Sequence, residues 1–105
     1  MHIQIVNFQL KDLTEEDYVK SCEQEAPAFA ELPGLISKVW LADRETNTYG
    51  GGYKWRDRQA MENYMKSELF TAVTTDPNLV SVTSKDFAVL ERPTLVTRGL
   101  AGATV

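Results

Sequence analysis

Apolar residues recur along this chain first at period two, then at helical spacing, and the alternation marks out the elements. His2–Leu10 reads as a strand, with Ile3 and Ile5 on one parity and Phe8 and Leu10 on the other. That change predicts either a bulge near Val6-Asn7 or a strand buried on both faces. Thr14-Glu15-Glu16-Asp17 is a helix start: Thr14 caps, and the acids sit at the positive end of the dipole. Behind it Tyr18, Cys22 and Phe29, with Val19 and Ala26, form one apolar stripe. Pro27 lies inside the stripe and predicts a kink or a restart, and Pro33-Gly34 ends the helix. Leu35–Ala42 reads as a second strand, with Ile36, Lys38, Trp40 and Ala42 on one face. Asp43–Asn47 has hairpin length. The third strand, Thr48–Trp55, sets Tyr49, Gly51, Tyr53 and Trp55 against Gly50, Gly52 and Lys54. Asp57 caps a second helix carrying Ala60, Met61, Tyr64 and Met65, and Ser67 caps a further turn carrying Leu69, Phe70 and Val73. After the Asp76-Pro77-Asn78 turn, Leu79–Leu90 reads as a last strand with a bulge near Ser84-Lys85-Asp86. The tail, Thr94–Val105, is expected to hold a short strand at Leu95-Val96 and then fray.

Strand, helix, strand, strand, helix, strand is the split βαβ order. It predicts an α+β, ferredoxin-like βαββαβ domain over residues 1–93, with a four-stranded antiparallel sheet, two helices on one face and a 94–105 tail. Apolar residues on both faces of the sheet require a second cover, and a copy of the chain supplies one. The expected assembly is a homodimer joined sheet to sheet.

The third strand changes this picture. Three consecutive glycines flanked by large aromatics pack poorly, since Gly costs roughly 0.5–1 kcal/mol relative to Ala inside an element. The run makes sense where something lies close to the backbone: a ligand, a helix or a second subunit.

Composition narrows the chemistry. At 105 residues with 43% hydrophobic and 25% charged content, the chain is one globular domain. Eleven basic against 15 acidic residues, a net charge of −4, argue against a nucleic-acid surface. No apolar run approaches a membrane span and none resembles a signal peptide, so no membrane partner is expected. The single Cys22 excludes an internal disulfide, and a cytoplasmic location is the expectation. One histidine, His2, and one cysteine are too few for a zinc or haem set, and no histidine stands ready to activate a nucleophile. No metal site is expected.

Cofactor-free oxygen chemistry needs less. A deprotonated phenol or enol passes an electron to O₂ if the protein takes the proton, holds the anion and excludes water. Lys38 is the candidate base or anion anchor, provided its strand face is buried; otherwise it snorkels to a sheet edge. Tyr53 is paired with it as a candidate catalytic residue. Trp40, Trp55 and Gly51 are candidate substrate contacts, the rings stacking on an aromatic guest; the plain alternative is ordinary core packing. Asn7 either orients a substrate carbonyl or satisfies a bulge.

The run Pro33-Gly34, Lys38-Val39-Trp40, Gly50-Gly51 with Tyr53, and Tyr64 in the second helix resembles the YdhR-like monooxygenase family of the dimeric α/β-barrel superfamily, over roughly Ile3 to Leu90. The resemblance implies a dimeric barrel, a cavity between sheet and helices, a small-molecule substrate, and oxidation of aromatic polyketides without metal, flavin or other cofactor. The chain departs from the family at Gly52, where a bulky residue is usual, and beyond Pro93. Two other readings stand beside the oxygenase: a non-catalytic small-molecule binding or sensing dimer, and a purely structural role in which the glycines admit close packing.

Overall fold

A computed structural model of the chain describes residues 1–100. The elements are β1 (His2–Leu10), α1 (Glu15–Ala30), β2 (Leu35–Asp43), β3 (Thr48–Trp55), α2 (Arg58–Met65), α3 (Glu68–Thr75), β4 (Leu79–Ala88) and α4 (Glu91–Val96). The strands form one antiparallel sheet in the order β2-β3-β1-β4, which is the ferredoxin-like plan.

Local chemistry accounts for the boundaries. The Thr14 side chain accepts from the Asp17 amide and starts α1. Asp57 and Ser67 likewise cap α2 and α3, accepting from the amides of Ala60 and Phe70. The second helical stretch is therefore two short helices. α1 runs on through Pro27, so the restart allowed for in the sequence does not occur. Pro27 lies in the last turn, and the Glu23 residue whose carbonyl it leaves unpaired is exposed, so water can serve that oxygen.

One sheet face carries His2, Gln4, Val6 and Phe8 of β1 beside Tyr49, Gly51, Tyr53 and Trp55 of β3. The core forms there, with Tyr18 and Phe29 from α1, Met61 and Tyr64 from α2, and Phe70 from α3. Ile3 and Ile5 point to the other side, so β1 is apolar on both faces, one of the two predicted alternatives. The register shift beside it falls between Asn7 and Gln9, against a bulge in β4 where Ser81 has φ of 56°. That bulge lies upstream of the predicted Ser84–Asp86 position. A second, unpredicted shift at Leu35/Ser37 turns Leu35 onto the core face.

His2 is buried, with Nε2 2.6 Å from Asp86 Oδ2. The Leu95-Val96 segment is helical, part of α4, and no strand forms there. A helix satisfies its carbonyls locally, whereas a strand would need a free sheet edge. Lys54 Nζ donates to the Gly99 carbonyl, so the chain beyond α4 passes the uncovered sheet face. The remainder of the predicted fraying tail, residues 101–105, lies outside the described residues.

Candidate functional site

The three glycines of β3 answer three different steric demands. Gly50 has φ of 147°, and a Cβ there would overlap the Val6 carbonyl oxygen of β1. Gly52 faces the uncovered side, where a Cβ would meet Val39 Cγ2 at 3.1 Å. It therefore does not enlarge any space beneath the helices. Gly51 faces the core side, and a Cβ there would stand 2.7 Å from Lys38 Cε and 3.2 Å from Tyr53 Cε1. The space beside Gly51 is thus filled by the aliphatic stem of Lys38.

That stem delivers the amine into an aromatic cage. Lys38 Nζ lies 3.3 Å from the Phe29 ring centroid, 3.4 Å from that of Trp40 and 4.7 Å from that of Tyr53. It has no hydrogen bond or ion pair among the described residues. Burial pulls its pKa from the ordinary 10.5 down to about 7, against the opposing pull of Cys22 and Glu25. Lys38 does not snorkel to the edge.

Open volume lies beside the cage, between α1 and β2. A cavity of about 80 Å³ is walled by Tyr18, Cys22, Glu25, Phe29, Lys38 and Trp40. An apolar groove of about 280 Å³ shares Tyr18, Cys22 and Trp40 with it. A third space, about 230 Å³, runs along Phe29, Ile36, Lys38 and Trp40. Trp40 borders all three and is 37% exposed, its indole edge-on to Phe29 at 5.3 Å.

Tyr53 stacks on Trp55 at 5.7 Å, and its hydroxyl is 3.0 Å from that of Tyr64. Burial, then the neighbouring Tyr64, push the Tyr53 phenol well above its usual range; burial raises Tyr64 to about 12. Both phenols stay protonated near neutral pH and act as hydrogen-bond partners, not bases. Burial likewise raises the Tyr18 phenol and the Cys22 thiol.

The structure brings Lys38, Trp40 and Tyr53 together at the cavity and separates two other candidates from it. Trp55 is 0% exposed, with Nε1 donating to Gln4 Oε1 at 3.0 Å, and it belongs to the core. Asn7 falls on the opposite sheet face beside Gly50, where its Nδ2 reaches the Tyr49 carbonyl at 3.5 Å. It serves backbone, as a strand residue of that parity must. Two wall residues, Phe29 and Glu25, were not singled out in the sequence as site residues. Glu25 had a signal: it is seven residues after Tyr18, in the middle of the apolar stripe, where a carboxylate is out of place unless the stripe borders a polar space.

Known proteins agree with this architecture. No curated protein matches the chain. Among solved structures, SnoaB, a cofactor-independent oxygenase from Streptomyces nogalater (mutant N63A), is similar at 19% identity and TM-score 0.66, over 86% of this chain and 94% of that one. The heme-degrader MhuD from Mycobacterium tuberculosis, with two hemes bound in its active site, aligns at 15% identity and TM-score 0.69, over 86% and 96%. A putative antibiotic biosynthesis monooxygenase from Deinococcus radiodurans aligns at 12% identity and TM-score 0.70, over 87% and 94%. At these identities the likeness concerns the fold. The sequence itself is matched over residues 3–100, beyond the Leu90 limit of the motif resemblance and through α4, by the model of the family described as "Putative mono-oxygenase ydhR", and the chain belongs to that family.

Proposed function

We propose that the chain is a cofactor-independent monooxygenase for an aromatic or polyketide-like small molecule bound between α1 and β2. One observation carries this reading: an amine depressed to about 7 inside an aromatic cage, bordering an open cavity. Lys38 takes the acidic proton of a phenol or enol. The resulting ammonium then pairs with the substrate anion, which loses one electron to O₂. Recombination of the radical with superoxide gives a peroxide anion, which takes the proton back from the ammonium; loss of water from the hydroperoxide leaves a carbonyl, one oxygen atom in the product and one in the water. Trp40 and Phe29 stack on the substrate ring and keep bulk water away.

The haem held by one neighbour finds no imidazole in this cavity: His2, the only histidine, lies on β1 paired with Asp86 of β4 and does not line the cavity. The uncovered sheet face, with Val39 58% and Phe87 53% exposed, supports a second copy of the chain as its cover. No helix among the described residues is long and apolar enough to cross a membrane; the cytoplasmic placement rests on the single thiol. Oxygen uptake with anthrone and quinol substrates tests the proposal. Uptake that disappears in Lys38→Met is expected; no uptake across the panel by folded protein overturns it.

A further inference from the structure

We propose that Lys38 is also a carbonyl-capture site, forming an imine with a planar aromatic aldehyde that enters from the groove between α1 and β2. The inference goes beyond the oxygenase reading and does not depend on it. It starts from the company each lysine keeps. Lys20 pairs with Glu16, and Lys54 donates to the Gly99 carbonyl. Lys38 alone has its nitrogen set between ring faces. No carboxylate holds it as an ammonium by direct contact among the described residues, and burial leaves much of it as free amine near neutral pH. A half-buried amine with an available lone pair and no hydrogen-bond partner is a nucleophile.

The surrounding space selects the electrophile. The 80 Å³ cavity accepts the carbonyl end, and the adjoining 280 Å³ apolar groove accepts a flat ring against Trp40. With rings at 3.3 and 3.4 Å from the nitrogen, an aldehyde, which carries only hydrogen beside its ring substituent, crowds the cage less than a ketone. The titratable groups facing the cavity are Tyr18, Cys22 and Glu25 from α1, Tyr53 from β3, and Asp76 after α3. Of these Glu25 has the proton-transfer role, since it is solvent-exposed and borders the cavity. The amine nitrogen adds to the carbonyl carbon, and its proton passes by way of Glu25 to the carbonyl oxygen, giving a carbinolamine. That carbon–oxygen bond then breaks as the hydroxyl takes a proton by way of Glu25 and leaves as water, and the remaining N–H proton returns to Glu25, giving the imine. No oxidant or reductant takes part.

Benzaldehyde with sodium cyanoborohydride at neutral pH tests this in wild-type protein, read by intact mass and peptide mapping. Lys38 should be benzylated about tenfold faster, or more, than the exposed Lys11, Lys66 and Lys85, because burial favours its free amine and the adjoining groove holds the ring beside it. The α-amino group of Met1 serves as an internal reference. Lys38→Arg keeps the positive charge and should lose the fast adduct while Met1 still reacts. Labelling of Lys38 no faster than the surface lysines, or a fast adduct that survives in Lys38→Arg, overturns the proposal. Should that variant fail to fold, the wild-type peptide map decides alone. The readout is a covalent mass and needs no oxygen uptake, so the two proposals fail separately.

Discussion

Replacing Lys38 by Met removes an amine whose charge is disfavoured by folding, so the difference in stability between wild type and variant must depend on pH. The folded pKa lies below the unfolded one, about 7 against an ordinary 10.5. Below 7 both states bind the proton, and wild type bears the full cost of a buried ammonium. Between 7 and 10.5 only the unfolded state binds it, so wild-type stability rises with pH. At 1.36 kcal/mol per decade the displacement corresponds to ~5 kcal/mol. Cation–π attraction from the facing rings acts the other way, raising the folded pKa and shrinking window and gain together, so ~5 kcal/mol is an upper bound. Urea denaturation of both proteins from pH 6 to pH 10, in a Cys22→Ser background to remove the thiolate, measures it. Met fills the stem's space beside Gly51 without a charge. Wild type should therefore be the less stable protein at pH 6 and converge on the variant as pH rises. Curves that stay parallel across that range would show the amine to be solvated, and the cage argument would fail.

Gly50→Ala should lose on the order of 3 kcal/mol in urea melts, because its φ of 147° and the Val6 carbonyl both exclude a Cβ. Gly51→Ala should cost less, since the flexible Lys38 end can move, and should raise the Lys38 pKa as the amine swings toward water; the benzylation rate reads this out. Gln4→Leu orphans the Trp55 indole N–H at zero exposure and should cost about 1–3 kcal/mol by thermal melt. Trp40→Ala, at 37% exposure, should cost well under the ~3–5 kcal/mol of a fully buried indole while weakening binding of apolar ligands.

Period and capping chemistry made the fold legible. Thr14, Asp57 and Ser67 act locally, and their helices begin where those side chains stand. Bulges were read less well. The parity changes of β1 and β4 were visible, but the extra residue sits at Ser81, where φ is positive, and nothing local marks a serine for that. The second bulge, at Leu35/Ser37, depends on pairing with Trp55 across the strand and has no signature of its own. Asn7 and Trp55 were candidate contacts because polar or aromatic strand residues suit a site. Sheet face decides it for Asn7, and packing against Tyr64 of α2 with the bond to Gln4 decides it for Trp55; both are tertiary facts.

The glycine run shows why composition alone misleads about space. A glycine in a strand says only that something occupies the place of its missing Cβ. At Gly50 that is backbone, at Gly52 a valine methyl, and at Gly51 a lysine stem. The open volume arises one layer away, where α1 stands off the edge strand β2, with Glu25 replacing an apolar residue on the helical stripe. Gly51 still matters to that volume, but indirectly. It lets an amine cross the sheet surface and emerge among Phe29, Trp40 and Tyr53, where burial lowers its pKa to about 7. A bulkier residue at 51 would push the amine toward water and leave an aromatic cleft without its amine.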